Sequence, residues 1–414
     1  MRTPVAVLAV LAVFLASSAG AQTPTPIDAG DVIVDAAGST RPAVAANAAG
    51  EFVVVWTESG IHAQRFSAGG AAIGGVLDVA SPGAYPSVAV ADSGTFLVVW
   101  RSNESGMWRV KKRFYAANNV PTAAADVDAD TDVLLWGDVA ADAAGNFVVA
   151  WAEDVTGSYD FDVKTRRFDS TGAASAAEQL VSSGTAADRN PRIAYSAGEG
   201  GYIVVWDREA ASNYDVRARL LDSSGIPVTA DFLVNTYTTA GQLDPDVARS
   251  REGSFTVVWE GVGTGDDSGV FGRRFDAAGT PLGDAFLLST YTTSTQQRPR
   301  IDVDASGDFV VSWLSFGSPG SDSSETSSQA RAWLANGSPL SPQFQINTYT
   351  TQKQSFPEVA MLGGGDFVVA WEKNVYVMPT TFLDTRMRRF ASVLPLFSDG
   401  FESADRQAWS ASVP

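Results

Sequence analysis

The sequence predicts an all-β chain, a seven-bladed β-propeller with four antiparallel strands per blade and a last blade closed by an N-terminal strand. Three observations predict it. A motif of the form Phe-Val-Val-x-Trp, with small variations, recurs seven times and ends at Trp56, Trp100, Trp151, Trp206, Trp259, Trp313 and Trp371. Successive tryptophans lie 44 to 58 residues apart, the spacing of a repeat that holds several strands. Each copy is apolar at consecutive rather than alternate positions, as in Phe52-Val53-Val54-Val55-Trp56, so its strand is buried on both faces. A blade flanked by two other blades supplies that environment.

Each repeat has four parts. A strand of the form Pro-x-Val-Ala comes first, as at 42–45, 86–89, 191–194, 245–248 and 357–360. A tight turn follows with glycine at 50, 94, 145, 200, 253, 307 and 365, where a hairpin requires positive φ. The tryptophan strand is second. The third carries Arg and an aromatic, as in Arg65-Phe66, Arg167-Phe168, Arg274-Phe275 and Arg389-Phe390. These repeated arginines read as blade-to-blade packing, by stacking on aromatics or pairing with the Asp of the next turn. A turn Asp-x-x-Gly leads to a fourth strand and then to a Thr-Tyr-Thr-Thr connector at 236–239, 290–293 and 348–351. The seventh repeat has no clear fourth strand. Asp31-Val32-Ile33-Val34, ahead of the first repeat, is expected to supply it and so remove a free sheet edge. Helices should be nearly absent.

The domain plan is a signal peptide at 1–21, a linker at 22–30, the propeller at 31–390 and a tail at 391–414. Arg2, the apolar run 5–15 and Ala19-Gly20-Ala21 have the order of a secretory leader. This places the chain outside the cytoplasm, secreted or at the cell surface, with the periplasm as a variant. No other stretch is long and apolar enough for a membrane span. The chain has no cysteine, which excludes thiol chemistry. Its net charge of −18 becomes −19 once the leader and its Arg2 are removed. Such an acidic chain lacks the basic footprint that nucleic acid or an anionic membrane needs. A monomer is expected.

Strand order sorts the loops. The glycine turns lie at one end of every blade. The second-to-third loops at 101–108, 152–162, 207–215, 260–269, 314–328 and 372–384 lie at the other with the connectors, and they are read as long and variable. Binding is expected on that face and at the channel mouth within it, with a glycan or a protein as ligand. The candidate contacts are Trp108, Tyr159, Phe161, Tyr214, Tyr237, Tyr291, Phe316, Tyr349 and Tyr376. For the connector tyrosines the competing reading is packing against the neighbouring blade.

No catalytic residue stands out. His62, the single histidine, sits in a blade strand and would have to serve any Ser-His-Asp site. Acids follow the tryptophan strand at Glu58, Glu153, Asp207, Glu260 and Glu372, and their recurrence argues against an acid/base pair, which needs two unlike environments. Asp126, Asp128, Asp130 and Asp132 alternate like the first half of a calcium loop. Thr131 replaces that loop's glycine and Gly137 its bidentate glutamate, so the run is either a calcium site or a solvated acidic strand. No other cofactor is expected. The basic cluster 109–113 is a weak anion candidate.

The combined pattern, seen in Phe255–Trp259, Arg274–Gly279 and Val234–Thr239, resembles propeller-like repeats of large secreted and surface proteins of Gram-negative bacteria. The resemblance covers about 31–390. It implies an extracellular interaction module and brings no catalytic residues. The tail, with Asp399-Gly400-Phe401-Glu402, is similar to a short ending found on secreted bacterial proteins. The function expected from sequence is therefore a non-catalytic binding or adhesion module. The alternative is a polysaccharide hydrolase or lyase that uses loop carboxylates.

Overall fold

The computed structural model describes residues 22–392 apart from 37, 129–132, 155–156, 158–159, 183–185, 211–212, 319, 323 and 378–379. Among the described residues the one helical element is a single 3-10 turn at Gly363–Gly365. Five four-stranded antiparallel sheets run in chain order over 40–80, 84–126, 133–180, 187–233 and 242–287. A larger sheet combines the strands of 296–345 with those of 353–390, joined by one parallel bridge between Thr326 and Lys353. The N-terminal strand Val32–Asp35 pairs antiparallel with the last strand, Thr380–Phe390.

The first strands are Thr40–Ala46, Ala84–Val90, Val133–Ala141, Ala187–Ser196, Gln242–Arg249, Gln296–Val303 and Lys353–Met361. Each packs against the first strand of the next sheet, and Lys353–Met361 returns to Thr40–Ala46. The fold is a β-propeller, and these strands line its central channel. The tryptophan strands sit where their composition requires. Phe52 to Val55 are fully buried, and Trp151, Trp206 and Trp371 likewise. The apolar clusters straddle sheet pairs. One joins Val54 and Trp56 to Val368 and Ala370, from opposite ends of the chain. Burial on both sides is why the alternation of a half-exposed strand is missing.

The third-strand arginines fasten neighbouring sheets through backbone carbonyls in addition to the expected aromatic stacking. Arg166 donates to the Val127 carbonyl (2.9 Å), Arg219 to that of Val181 (2.6 Å), Arg273 to that of Val234 (2.8 Å), Arg331 to that of Leu288 (3.3 Å) and Arg388 to that of Ile346 (3.0 Å). Each carbonyl belongs to the segment that ends the preceding sheet. Arg273, Arg331 and Arg388 also lie over Phe275, Trp333 and Phe390 at 5.4–5.5 Å.

The segments read as long loops are mostly not loops. The tryptophan strand runs on to Glu104, Ala210, Gly263 and Val377, and the third strand begins at Met107, Asn213, Asp266 and Thr380. Four of the six are thus paired ribbons, and at Gly106 and Gly265, in two of their tips, φ is +90° and +97°. Continued cross-strand pairing satisfies the backbone and leaves short tips. Irregular chain persists between Phe316 and Thr326.

Every first strand slips register at the same place. The shift falls between Thr40 and Ala43, Ala84 and Ser87, Leu135 and Gly137, Arg189 and Arg192, Leu243 and Asp246, Gln297 and Arg300, and Ser355 and Glu358. In six of these strands the residue before the proline has a left-handed backbone: Arg41 (φ 51°), Tyr85 (55°), Asn190 (52°), Asp244 (48°), Arg298 (55°) and Phe356 (53°). Positive φ is uncommon outside glycine and costs about 1–3 kcal/mol where the surroundings impose it. A bulge re-aims the side chain that it carries.

Candidate functional site at the channel mouth

Six of the bulged residues meet at one end of the channel, beside Gly137 of the third sheet. Arg41, Tyr85, Gly137, Asn190, Asp244, Arg298 and Phe356 line a cavity of ≈ 450 Å³, together with Glu260 and, one step deeper, Ser87, Arg192, Arg300 and Glu358. The first strands start where the tryptophan strands end, with Thr40 opposite Thr57. The cavity therefore opens on the ribbon face and not on the face of the glycine turns.

The deeper tier is a belt of alternating charge. Ser87 Oγ donates to Asp138 at 2.6 Å, and Asp138 also accepts the Ile193 N–H at 3.0 Å. Arg192 stands 3.9 Å from Asp138. Arg300 donates to Glu358 at 2.9 Å and lies 3.4 Å from Asp244. Asp246 accepts the Ile301 N–H at 2.9 Å. Burial pushes the Asp246 carboxyl up to about 7, even against Arg192 and Arg300. These groups satisfy one another and form the floor of the cavity.

The acids that follow the tryptophan strands have a shared duty that the sequence does not reveal. Asp207 accepts the N–H of Asp244 (3.2 Å), Glu260 that of Arg298 (2.7 Å) and Glu372 that of Arg41 (3.2 Å). Each thus pins the bulged residue of the next sheet. Of the three, only Glu260 lines the cavity. Burial, aided by the charge of Asp244, raises its carboxyl to about 7. Burial also works to raise Asp244, but Arg300, Arg192 and Arg298 outweigh it and hold that carboxyl below its ordinary range. Two carboxylates in one cavity therefore differ in protonation near neutrality. Glu153 does something else: it is fully buried, accepts from Trp151 Nε1 at 3.0 Å and pairs with Lys164.

The other rim is basic and aromatic. The Arg41 guanidinium lies 4.0 Å from the centre of the Tyr85 ring and 4.5 Å from that of Phe356. Arg298 covers Phe356 at 4.2 Å. Arg101 lies 5.0 Å from Tyr85 and 3.8 Å from Trp108. Trp108 is the one candidate from the sequence that this row joins to the cavity.

The remaining candidates lie elsewhere. Phe161 is buried, 5.6 Å from the Arg189 guanidinium. The Tyr214 hydroxyl accepts from Arg189 at 3.4 Å. Tyr291 and Tyr349 are half-buried. The Tyr291 N–H is held by Gln343, while Tyr349 lies under Lys373 at 3.8 Å and its N–H is held by Asp31. Tyr237, Phe316 and Tyr376 are exposed. Tyr159, Asp130 and Asp132 lie outside the described residues, as do the leader and the tail from 393 onward.

Asp126 and Asp128 do not share one face. Asp126 is exposed and pairs with Lys111 at 2.8 Å. Asp128 is buried, and burial with the nearby Glu153 raises its carboxyl to about 7. No group of three or more acidic or histidine side chains fit to hold a metal occurs among the described residues. The basic cluster 109–113 is dispersed: Lys112 donates to the Gly172 carbonyl at 2.7 Å and Arg113 to that of Asp78 at 3.3 Å. His62 stacks on Trp56 between Asp78 (3.1 Å) and Glu58 (3.5 Å).

The residues that line the cavity were missed because the position before the proline reads Arg, Tyr, Asn, Asp, Arg and Phe. A position that varies inside a constant frame is the signal that could have found them.

No family model matches the chain, and no curated protein matches it. Solved structures do, at the level of fold. A protein of unknown function from Dyadobacter fermentans aligns with TM-score 0.52 and 12% identity over 88% of this chain and 100% of its own. An α-L-arabinanase from Penicillium chrysogenum, complexed with arabinobiose, aligns with TM-score 0.52 and 14% identity over 74% and 92%. A polysaccharide lyase, an ulvan lyase bound to -[GlcA(1-4)Rha3S]-, aligns with TM-score 0.52 and 10% identity over 86% and 95%. No helix among the described residues is long and apolar enough to cross a membrane.

Proposed function

We propose that this chain is an exported, monomeric, seven-bladed propeller that acts on a polysaccharide at the ribbon-face mouth of its channel. The observation that carries the reading is the unlike pair Glu260 and Asp244 in one cavity. A carboxyl still protonated near neutrality can protonate a glycosidic oxygen, and an ionised neighbour can activate water. Glu260 is the acid in this scheme and Asp244 the base. The sequence argument against catalysis assumed that repeated acids have repeated surroundings. Glu260 escapes it because its neighbour Asp244 stands at a position that varies between repeats and is an aspartate in this one alone among the six with the left-handed backbone. Two of the folds that align belong to polysaccharide-active enzymes by name, which favours this reading over a purely adhesive one. The leader and the resemblance to secreted repeats support export.

The test is release of new chain ends from a panel of neutral and acidic polysaccharides by the mature protein. Reducing ends report hydrolysis, and absorbance of unsaturated uronates reports elimination. Loss of product in Glu260→Gln and in Asp244→Asn supports the pair. A second reading, a binding module that leaves glycan intact, is favoured by the structural duty that Glu260 shares with Asp207 and Glu372. Retention of intact polysaccharide with no product from any substrate would establish that reading instead.

A further inference from the structure

The chain carries 47 acidic residues against 29 Lys and Arg, so acceptors for an arginine are plentiful. Most arginines of the inner and middle strands are tied down, among them Arg65 to Glu51, Arg208 to Asp188 and Arg300 to Glu358. Arg41, Arg101 and Arg298 are exceptions. Among the described residues, none of the three guanidiniums has a carboxylate within 4.0 Å or a hydrogen-bond acceptor, and Arg101 Nε is buried without a partner. All three converge on the same rim. Their planes are fixed by stacking in an unbroken row, Arg298–Phe356–Arg41–Tyr85–Arg101–Trp108, with separations of 3.8–5.0 Å. Four of the six hold the left-handed backbone described above. Burial and the nearby Arg41 draw the Arg101 guanidinium's proton affinity down, which an anion would reverse.

Stacking leaves the edge of a guanidinium open, and that edge carries the paired N–H groups that fit a carboxylate or sulfate bidentately. Aromatic faces between such groups suit the apolar face of a sugar ring. We propose that this row is a subsite for an acidic saccharide, a uronate or sulfate-bearing sugar, whose anion lies between Arg41 and a neighbouring arginine and whose ring rests on Tyr85 or Phe356. The inference rests on the polysaccharide reading and deepens it. It makes the substrate anionic even though the protein is strongly acidic, with discrimination built from three arginines and not from net charge.

The experiment uses the mature chain and three probes: a polyuronate oligosaccharide, a neutral arabino-oligosaccharide of equal length, and inorganic sulfate. Binding is followed by calorimetry at low and moderate salt. The expected result is binding of the polyuronate and at least tenfold weaker binding of the other two. Arg41→Gln with Arg298→Gln should lose at least tenfold in polyuronate affinity at an unchanged melting temperature. Arg41→Lys with Arg298→Lys, which keeps charge but not the planar fork, should lose most of it as well. If the double Gln variant does not fold, Arg101→Gln alone carries the test, with an expected loss of at least threefold. Equal binding of neutral and acidic oligosaccharides, or no effect of the arginine changes, overturns the acidic subsite and leaves the polysaccharide reading standing. Sulfate bound as tightly as the oligosaccharide reduces the row to a simple anion site and also overturns it. No saccharide bound and none cleaved removes the polysaccharide reading itself.

Discussion

The two halves of the channel rim share one backbone and carry opposite chemistry. On one arc the bulged positions are Arg298, Phe356, Arg41 and Tyr85, with unpaired guanidiniums stacked on rings. On the other they are Asn190 and Asp244, beside Gly137 and backed by Glu260, and both are hydrogen-bonded into the wall. Strand pairing, bulge and positive φ recur around the ring, so the fold does not set the difference. It comes from a single residue per repeat. A strained position kept in six strands and filled by five residue types points to what the side chains do together, because packing alone would be met by glycine.

The sharpest way to break the comparison is to remove the acidic arc. Glu260→Gln is expected to cut the rate of product release by roughly 10²–10⁴, the range for a general acid. Glu372→Gln, which makes the same change at a carboxyl outside the cavity, should cost less than about tenfold. Equal losses in initial rate would assign both acids to support of the bulge. Asp244→Asn should move the alkaline limb of the pH–rate profile downward. The charge of Asp244 helps hold the Glu260 carboxyl near 7, and without it Glu260 releases its proton at lower pH.

A stability prediction of intermediate size separates the rim arginines from the stapling ones. Arg273→Met should lower stability by about 1–3 kcal/mol in a denaturant melt, because the Val234 carbonyl loses a charged donor. Arg41→Gln should change stability by about 1 kcal/mol or less, because it loses stacking contacts but no carboxylate and no hydrogen-bond acceptor. A large loss for Arg41→Gln would mean that the row is structural.

The pH dependence of folding tests the buried carboxyls. Asp207 and Asp246 are held near 7 and Asp302 near 6 by burial. These values lie above those of the unfolded chain, so between about pH 4 and pH 7 the native state keeps protons that the unfolded state has released. Stability therefore falls as pH rises through that window and levels off above about pH 8. A melting temperature lower by roughly 5 °C at pH 8 than at pH 5 is expected, and a rise over that interval would refute the raised carboxyls. The smallest effect is expected from Arg298→Gly. It removes backbone strain and should leave stability unchanged or raise it by up to about 1 kcal/mol while weakening ligand binding.

The parts of the molecule legible in its sequence were those that repeat. Phe52-Val53-Val54-Val55-Trp56 and its counterparts announced double-sided burial, and the orphan Val32–Asp35 announced its pairing with the last strand. The ribbons were read as loops because their pairing is local and their composition polar. The cavity was harder to see. Proline marks the bulge, but no residue type marks the direction in which a bulge turns its side chain. Trp108 was found because it is a large aromatic in a polar stretch, whereas Arg41 and Arg298 were hidden among arginines that staple sheets. Glu260 was set aside for recurring, yet its neighbour Asp244, and not its own position, makes it different.

The pairing of Val32–Asp35 with Thr380–Phe390 also bears on the order of assembly. Ser39 and Thr385 are in hydrogen-bond contact although 346 residues apart. The first strand of the sequence is thus paired only once Thr380–Phe390 has emerged, and the circle is not sealed before then. Until then Val32–Asp35 lacks its partner and the unfinished last sheet presents a bare edge to any other chain. A shortened product ending before 380 would keep most sheets yet stay unlocked, and for this architecture early termination is more hazardous than a defect in any one interior repeat.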